Sequence, residues 1–187
     1  HIHLSVFGDQ NKIDAVASVL AAIEAGMSED RALTAIKAYR GAGRRQESHG
    51  VVDGRLLYDD YGHHPKEIAI TVKSFKEHFP KSRILLVFES HTYSRTEALL
   101  TEFAKSIAIA DVPFIMPIFE SAREKGVPHQ ITPKSFAAEV KKYNGLAVSL
   151  TWKNAVEKVW EASKPGDLIL TMGAGFVYKL HEKFKLK

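Results

Sequence analysis

The sequence has no cysteine among its 187 residues. This absence excludes disulfide scaffolds, thiolate zinc sites and cysteine nucleophiles, and it agrees with a reducing compartment such as the cytoplasm. Any metal would have to be held by histidine and carboxylate side chains. Long apolar runs are also missing, because the most apolar stretch, residues 107–119, is interrupted by Asp111, Pro113 and Pro117. It is far shorter than the ~20 residues that a membrane span needs, so we expect no membrane-spanning segment.

Positive charge is in small excess. Lys plus Arg number 26 against 22 Asp plus Glu, a net charge of +4, and the basic residues are spread along the chain. This balance does not indicate a nucleic-acid partner. The 45% of hydrophobic and 10% of aromatic residues are typical of a globular protein with a packed core. The chain has no secretory leader and begins at His1 rather than Met, so we expect it to be a piece of something longer.

Two alanine-rich amphipathic segments open the chain. Apolar residues at helical spacing predict helices over Asn11–Glu24 and Ser28–Arg40, which would form a helical hairpin. Gly41-Ala-Gly43 then ends the second helix and is the best linker candidate. We therefore expect residues 1–42 and residues 43–187 to belong to different domains.

The second part alternates between strand and helix patterns. Asp53-Gly54 between two β-rich runs predicts a β-hairpin. The later strands are short and continuously apolar, as in strands that are buried on both faces of a parallel sheet. The pattern predicts an open α/β fold with a mostly parallel sheet and helices on both faces. The predicted elements are helix Pro65–His78, strand Arg83–Phe88, helix Tyr93–Ser106, strand Val112–Ile118, helix Pro133–Lys142, strand Leu146–Ser149, helix Trp152–Ala162, strand Asp167–Met172 and a last helix from Gly175.

Polar segments follow several of these strands. In such sheets the ligand site lies beyond the carboxyl ends of the strands. Asp59, Asp60, His63 and His64 come directly before Pro65, and three interpretations of them stay open: a helix cap with solvent-exposed histidines, a site for a substrate or nucleotide, and, less favoured, a metal site. A carboxylate at this place can accept both hydroxyls of a ribose.

The other candidates also have alternative interpretations. Arg44 and Arg45 either form surface ion pairs or reach across a domain cleft to phosphate or sugar oxygens. Arg95 either clamps a carboxylate or phosphate, or pairs locally with Glu97 or Glu102. Gly173-Ala-Gly175 is interpreted first as tight packing, because it lacks the further residues of a dinucleotide fingerprint. The remaining histidines, which we expect at the surface, are His1, His3, His49, His78, His129 and His181.

Four blocks of the sequence together resemble the Mur ligases of peptidoglycan synthesis. The third and fourth blocks resemble the branch that adds L-alanine to UDP-N-acetylmuramate almost letter for letter. Residues 122–125 and 172–175 add weaker similarity. The four blocks are Gly8–Asp14, Gly43–Glu47, Tyr58–Pro65 and His91–Thr96.

The resemblance implies three domains in the whole protein, of which this chain would hold the tail of the central ATPase domain and the complete Rossmann-like C-terminal domain. It also implies an ATP-dependent reaction in which the sugar carboxylate becomes an acyl phosphate that the amine of L-alanine attacks. ATP with Mg²⁺ would be the cofactor, although the chain contains no GxxxxGK[ST] loop and its metal ligands would lie upstream. By this resemblance the chain alone would be inactive.

The resemblance also implies roles for individual residues. Asn11 and Asp14 would lie at the adenine of ATP, Arg45 at its ribose and phosphates, and Asp60 at its ribose hydroxyls. Tyr61, His63, His91 and Arg95 would form the amino-acid side, with Arg95 holding the carboxylate of L-alanine. None of them is a nucleophile, so their work would be positioning and charge stabilisation.

The sequence departs from the family pattern at several of these blocks. Gln10 stands in place of the usual His, Asp14 in place of Asn, Glu89-Ser90 in place of Gln-Pro, and Phe176 in place of Asp. Two alternatives therefore stay open. One is the related recycling ligase that attaches a preformed peptide, against which the intact His91–Thr96 block argues. The other is a binding domain of the α/β class that has lost catalysis.

Overall fold

A computed structural model describes all 187 residues and confirms the predicted α/β architecture, with six strands in one mixed sheet. The strands are β1 (Glu47–Val52), β2 (Arg55–Asp60), β3 (Ile84–Phe88), β4 (Val112–Ile115), β5 (Val148–Ser149) and β6 (Leu168–Met172). Their order in the sheet is β1-β2-β6-β3-β4-β5. Only the β1–β2 pair is antiparallel, and all other neighbours are parallel.

Eight α-helices and one 3₁₀-helix surround or precede this sheet. They are α1 (Asp9–Glu24), α2 (Glu29–Ala38), α3 (Pro65–His78), α4 (Tyr93–Ala98), α5 (Leu100–Ile107), α6 (Pro133–Lys141), α7 (Ala155–Ala162), the 3₁₀-helix Val177–Lys179 and α8 (Leu180–Phe184). None of them is both long and apolar enough to cross a lipid bilayer. The predicted helix Pro65–His78 has the predicted bounds, because Pro65 and a capping box define its start.

The central strands are buried on both faces, which explains their continuous apolar runs. On β3, Ile84, Leu86 and Phe88 face a core formed with α3, α5 and α6. The intervening Leu85 and Val87 face a second core formed with α7 and α8. The period of two along a strand thus separates the two apolar layers, and the carboxyl ends of β2, β6, β3 and β4 meet at one rim.

Phe7, which precedes α1, anchors the two N-terminal helices to the sheet domain. Phe7 stacks on His78 at a ring-centroid distance of 4.2 Å and packs edge-on against Phe75 at 5.0 Å. Of α1, Ala15 and Val19 are buried, and α1 packs beside α2. The helical pair therefore lies beside α3 and places α1 next to the end of β2.

Several boundaries differ from the sequence prediction; the strand predicted over Leu146–Ser149 begins at Val148, and the helix predicted over Trp152–Ala162 begins at Ala155. The helix predicted over Tyr93–Ser106 is broken at Leu99, whose φ of −118° and ψ of 25° are not helical. The strand predicted to end at Ile118 ends at Ile115, shortly before Pro117, which has no backbone N–H to donate. The last helix starts as a 3₁₀ turn at Val177 instead of at Gly175.

The expectation that His181 lies at the surface is wrong. His181 is only 2% exposed, because α8 packs against the sheet through the face that carries it. A histidine among lysines and glutamates near a chain end gives no composition signal of burial.

The predicted hairpin turn at Asp53-Gly54 is confirmed. Asp53 and Gly54 both have positive φ, 46° and 74°, as a two-residue turn between twisted strands requires. A Cβ at Gly54 would lie 2.8 Å from the Cβ of Pro165. Gly54→Ala should therefore lower the free energy of unfolding in urea by about 2 to 4 kcal/mol, from backbone strain and overpacking together.

Gly26→Ala is the matched control for this substitution. Gly26 also has a positive φ, 93°, but no atom lies within 4 Å of its added Cβ. It should lose about 1 to 2 kcal/mol from backbone strain alone. Equal losses in the two variants would show that Pro165 does not constrain the turn.

Candidate functional site

Asp60, the last residue of β2, joins the linker to the turn that precedes α3. Its Oδ2 accepts a hydrogen bond from the backbone N–H of Gln46 at 3.0 Å, and its Oδ1 accepts one from Gly62 at 2.7 Å. The side chain is buried, and burial raises the pKa of Asp60 although these two hydrogen bonds act in the opposite direction. Each carboxylate oxygen keeps a further lone pair for a ligand hydroxyl.

The two neighbouring arginines of the linker have different environments. Arg44 is built into the domain: its Nε donates to Asp59 Oδ2 at 2.9 Å and a terminal nitrogen donates to the carbonyl of Gly173 at 2.6 Å. Its guanidinium also lies 4.4 Å from the ring centre of Tyr178. Arg45 is exposed and has its guanidinium 5.5 Å from the ring centre of Tyr61. Only Arg45 is therefore free to meet a ligand.

A pocket of about 390 Å³ lies between α1, the linker and the start of α3. Four of its lining residues come from three segments (α1, the linker and the end of β2) and are the ones predicted to lie at ATP: Asn11, Asp14, Arg45 and Asp60. The remaining lining residues are Gln10, Tyr39, Gln46, Glu67, Ile70 and Thr71. The fold thus brings the predicted nucleotide residues to one cavity.

The amides at the α1 side of this pocket leave acceptors for a ligand. Asn11 donates through Nδ2 to the carbonyl of Phe7 at 2.6 Å and to Gln46 Oε1 at 3.0 Å. Its Oδ1 accepts no hydrogen bond within the protein. Gln10 Oε1 is a buried atom without any hydrogen-bond partner. Since such atoms are rare in folded proteins, Gln10 Oε1 marks a place where a donor from a ligand would fit.

The turn after β2 confirms one of the interpretations left open for it, the helix cap. His64 caps α3 by accepting from the backbone N–H of Lys66 at 3.3 Å, and Glu67 accepts from the backbone of His63 and His64 at 2.8 Å and 3.1 Å. The cap interpretation is therefore right for His64. The ring of His63 lies at the rim, where its Nδ1 is 3.1 Å from the Tyr61 carbonyl oxygen and 3.8 Å from Glu67 Oε2.

The residues predicted for the amino-acid side form a row across the ends of β2 and β3. The ring centres of Tyr61 and His63 are 5.3 Å apart, and those of His63 and His91 are 6.3 Å apart. His91 stacks on Phe119 at 4.7 Å. Burial, followed by the charges of Arg95 and His63, lowers the pKa of His91, so its ring is neutral at pH 7.

Arg95 belongs to the same rim and is not used by local ion pairs. Neither Glu97 nor Glu102 binds it, and Glu97 instead accepts from the backbone of Gln130 at 2.9 Å and of Ile131 at 3.1 Å. No side-chain hydrogen bond within the protein engages its guanidinium. This leaves the fork of donors of Arg95 available for an anionic group.

Glu124 fixes the start of the helix that carries Arg95. It accepts from the backbone N–H groups of Tyr93 and Ser94 at 3.2 Å and 2.9 Å and from the Ser94 hydroxyl at 2.6 Å. Burial acts to raise the pKa of Glu124, but these hydrogen bonds outweigh it and lower that pKa to about 2. The cap comes from 30 residues away in sequence, so no local sequence signal could have found it.

The glycine turn after β6 packs over Glu89, which confirms its interpretation as tight packing. A Cβ at Gly173 would lie within van der Waals overlap of the Glu89 carbonyl, and one at Gly175 would lie 2.5 Å from the Glu89 carboxyl carbon. The carboxyl accepts from the backbone N–H of Val177 at 2.7 Å. Because it is 2% exposed, burial raises the pKa of Glu89 to about 7.

A second pocket, of about 530 Å³, lies beyond Phe119 at the ends of β3 and β4. Phe176, one of the departures noted above, is half-exposed at its wall and packs edge-on against Phe119 at 5.6 Å. Lys179 lies over the Phe176 ring at 4.7 Å. Phe119 and Phe176 thus give this pocket an apolar wall.

Metal ligation finds no support in the arrangement of these side chains. No group of three or more His, Asp or Glu side chains lies close enough together to hold a metal ion. Asp59 and Asp60 are engaged by the linker and His64 by α3, so the residues present do not fit a Mg²⁺ site.

The fold is an α/β domain of the doubly wound class, with a polar pocket between its sheet and the N-terminal helices. The family model described as "Mur ligase, glutamate ligase domain" matches residues 43–175. The chain therefore belongs to the Mur ligase family, whose members are ATP-dependent amide ligases.

Relatives with established names agree with this family. The chain is 38% identical over 184 residues to UDP-N-acetylmuramate--L-alanine ligase of Caldanaerobacter subterraneus subsp. tengcongensis, a match that covers 98% of this chain and 40% of that protein. It is 38% identical over 182 residues to the ligase of the same name from Desulfitobacterium hafniense, covering 95% and 40%. The chain thus spans about 40% of the length of these relatives.

Solved structures agree on the fold. The crystal structure of UDP-N-acetylmuramate-alanine ligase from Thermotoga maritima superimposes with a TM-score of 0.77 at 21% identity, over 98% of this chain and 38% of that one. A folylpolyglutamate synthase of Mycobacterium tuberculosis, complexed with ADP and AMPPCP, gives a TM-score of 0.67 at 15% identity, over 97% and 41%. At these identities the similarity concerns the fold alone.

Glu89 gives a prediction for the pH dependence of stability. Because its pKa is raised to about 7 in the folded chain, above the ordinary 4.5, its ionisation opposes folding. The wild-type chain should lose stability as pH rises from about 4.5 to about 7, and Glu89→Gln, which keeps an acceptor for Val177 N–H, should not. The variant should be more stable at pH 8 by up to about 3 kcal/mol, and the two should be equal near pH 4.

Urea denaturation at several pH values measures this difference. Glu120→Gln is the control, since Glu120 lines the same pocket but is exposed. A difference between wild type and Glu89→Gln that does not change with pH would refute the assignment.

Proposed function

We propose that this chain is the C-terminal part of an ATP-dependent ligase that adds L-alanine to UDP-N-acetylmuramate in peptidoglycan synthesis. Within that enzyme it would supply contacts to ATP and to the amino acid. The observation that carries the proposal is the meeting of Asn11, Asp14, Arg45 and Asp60 in one pocket. The relatives of that name, which are 38% identical over nearly the whole of this chain, support the same substrates.

The charges of the pocket indicate which part of ATP it would bind. Its walls hold one cation, Arg45, and three carboxylates, Asp14, Asp60 and Glu67. A triphosphate would be repelled by these carboxylates, whereas adenine and ribose offer N–H and O–H donors to them. We therefore infer that the pocket takes the nucleoside, with Gln10 and Asn11 accepting from the adenine amine and Asp60 from the ribose. Arg45 would meet the phosphate that leaves the pocket.

Phosphate and metal binding would lie outside this chain. The sequence contains no GxxxxGK[ST] loop, and the described side chains form no metal-binding group. Mg²⁺ accompanying ATP would therefore be held by residues upstream of these. For this reason we infer that the chain alone binds ATP weakly and does not catalyse the reaction.

The amino-acid side would be formed by the rim of Tyr61, His63, His91 and Arg95. The free guanidinium of Arg95 suits the carboxylate of L-alanine, since an arginine binds a carboxylate through two parallel hydrogen bonds. The neutral ring of His91 can accept a proton or a hydrogen bond, and it lies beside His63. These groups orient an amine nucleophile and supply no covalent chemistry of their own.

In the proposed reaction the sugar carboxylate attacks the terminal phosphate of ATP, and ADP leaves. The amine of L-alanine then attacks the acyl carbon, forms the amide bond, loses one proton and expels phosphate. Both steps bring anions together and pass through a species that water would hydrolyse, so they require a cleft that closes. A reaction that consumes ATP and a nucleotide sugar would take place in the cytoplasm.

The exposed face of α1 supports the assignment of residues 1–42 to a neighbouring central domain. Ile13, Val16 and Leu20 are spaced along one stripe of α1 and are 69%, 46% and 58% exposed. A different face of α1 is already buried through Ala15 and Val19, and α1 packs beside α2. A helix that is apolar on two faces is typical of an element packed between two layers. The match of the Mur ligase family model, which begins at residue 43, supports the same boundary.

The nucleoside assignment predicts a specific pattern in the isolated 187-residue chain. Titration with adenosine and with ATP, followed by amide chemical shifts, should move signals of Gln10, Asn11, Gln46 and Gly62 and leave the rim around Phe176 unchanged. Both ligands should bind with dissociation constants of about 1 mM or weaker, since only part of the site is present.

Asp60→Asn is the variant that tests this pattern, because it keeps the size of the side chain while it removes the charge and one of its two acceptor oxygens. It should weaken adenosine binding about tenfold, the effect of losing one charged hydrogen-bond acceptor. Shifts centred on the pocket beyond Phe119, or micromolar ATP binding with turnover by the chain alone, would contradict the proposal.

Arg95 allows a test in the longer ligase that contains this chain. Arg95→Ala should raise the KM for L-alanine about 10- to 100-fold, since it removes a charge-assisted contact of about 1.5 to 3 kcal/mol, and should leave the KM for ATP near its wild-type value.

Arg31 is an exposed arginine on α2, so Arg31→Ala serves as the control. It should change neither the KM for L-alanine nor the KM for ATP. Normal alanine kinetics in Arg95→Ala would remove Arg95 from the amino-acid site.

A further inference from the structure

A continuous chain of hydrogen bonds connects the C-terminal helix to the linker. His181 Nε2 lies 2.7 Å from Thr171 Oγ1, and Thr171 Oγ1 lies 2.6 Å from Asp59 Oδ1. The other oxygen of Asp59 accepts from Arg44 Nε at 2.9 Å. His181, Thr171 and Asp59 are all at most 2% exposed. We call these four residues, His181, Thr171, Asp59 and Arg44, the linker relay.

The direction of each hydrogen bond in the linker relay follows from the groups themselves. The carboxylate of Asp59 can only accept, so the single hydroxyl proton of Thr171 points to it. Thr171 Oγ1 must then accept from His181, whose Nε2 carries the proton. This leaves Nδ1 of His181 without a proton, and that atom is buried and has no partner. Burial lowers the pKa of His181 to about 3, in agreement with a neutral ring that acts only as a donor.

At the Arg44 end, the linker relay meets the part of the linker that faces the pocket of about 390 Å³ lined by Asn11, Arg45 and Asp60, which we call the nucleoside pocket. Arg44 and Gln46 have positive φ values of 57° and 49°, which side-chain-bearing residues rarely adopt. Four hydrogen bonds hold this backbone. Arg44 N–H donates to Glu47 Oε2 at 2.7 Å, Arg45 N–H to the Ala42 carbonyl at 3.1 Å, and Gln46 N–H to Asp60 at 3.0 Å, while the Arg44 carbonyl accepts from Tyr61 N–H at 2.6 Å. Arg45, between them, projects into the pocket.

We propose that Thr171 and His181 are positioning residues for the nucleoside pocket, acting through Asp59 and Arg44 on the strained linker. A buried carboxylate that binds an arginine through one oxygen needs a hydrogen-bond donor for the other oxygen. Thr171 donates to that oxygen of Asp59, and His181 donates to Thr171. They come from β6 and α8 and touch neither the pocket nor the rim predicted for the amino acid. Their effect would reach a ligand only through the backbone of residues 44–46. The inference rests on the proposed function only for its last step, the effect on ATP.

The groups that face the linker relay do not supply an alternative partner for Asp59. His49 of β1 stacks on the His181 ring at 4.1 Å and offers it a face, not a hydrogen bond. Tyr61 and Tyr178 contact the guanidinium of Arg44 through their rings. Arg45 is the other cation of the linker, and it is exposed. Loss of the Thr171 hydroxyl would therefore leave one carboxylate oxygen of Asp59 without a donor.

Trypsin reports directly on this linker in the 187-residue chain, because it cleaves after Arg44 and Arg45. Thr171→Val keeps a β-branched side chain in β6 and removes the hydroxyl. It should speed cleavage at these two bonds about tenfold, the factor expected when a local opening loses one hydrogen bond to a charged group. Cleavage at other lysines and arginines should not change. Thr171→Ser restores the hydroxyl and should return the rate to within about twofold of wild type.

Ser163→Ala is the matched control, because Ser163 Oγ also accepts from a buried arginine, Arg55 Nε, at 2.8 Å, but at the opposite end of the sheet. It should lower the midpoint of urea denaturation about as much as Thr171→Val does and leave the linker bonds protected. Uniform acceleration at all trypsin sites in Thr171→Val, no rescue by serine, or equal opening in Ser163→Ala would each overturn the proposal.

Steady-state kinetics of the longer ligase then separate this inference from the proposed function. Thr171→Val should raise the KM for ATP about three- to tenfold with kcat and the KM for L-alanine within about twofold, and Thr171→Ser should reverse the change. Suppose that the linker opens in Thr171→Val while the KM for ATP stays normal. The contacts of the linker relay would then be correct, but Thr171 and His181 would not be positioning residues for the nucleoside pocket. If the linker stays closed, the relay itself is refuted whatever the ligase does.

Discussion

Two adjacent carboxylates at the end of β2 hold the linker against the sheet, and the geometry of the site depends on them. Successive residues of a strand point to opposite faces, so Asp59 and Asp60 reach the linker from different sides. Asp59 binds the side chain of Arg44, and Asp60 binds the backbone N–H of Gln46. The linker is thereby fixed in a conformation that its residues would otherwise avoid, and Arg45 is left as the one arginine that points into the pocket.

Much of the fold could be predicted because local and tertiary preferences agree. The helix Pro65–His78 has a proline at its first position, a capping box and an amphipathic pattern, and its bounds are the predicted ones. The break at Leu99 could not be predicted, because no Gly or Pro interrupts residues 93–107 and nothing in the local sequence marks the non-helical backbone of Leu99. The burial of His181 was missed for a similar reason: its hydrogen-bond partner Thr171 lies on β6 and is found only in the folded chain.

The candidate site shows the same division. The place of Asp60, His63, His91 and Arg95 followed from motifs at the ends of strands, because that rim is where an open α/β sheet binds ligands. Asn11 lies on α1 and was singled out only by the family resemblance. The side-chain chemistry could not show which of the two consecutive arginines has a guanidinium without hydrogen-bond partners in the domain, because Arg44 and Arg45 are the same residue type. Their difference arises from the positive φ of Arg44, which turns its side chain toward Asp59 and Gly173.

The same contacts determine where the chain can bend. From Arg44 onward the backbone is tied to the sheet by buried charges, whereas Gly41, with a φ of 99°, is followed by residues that carry no such ties. If residues 1–42 move with a neighbouring domain, the axis of that motion passes through Gly41–Gly43. Asn11 and Arg45 would then lie on opposite sides of the axis. A nucleoside between them would be gripped or released by a rotation about three small residues, so its affinity would report the angle between the two domains.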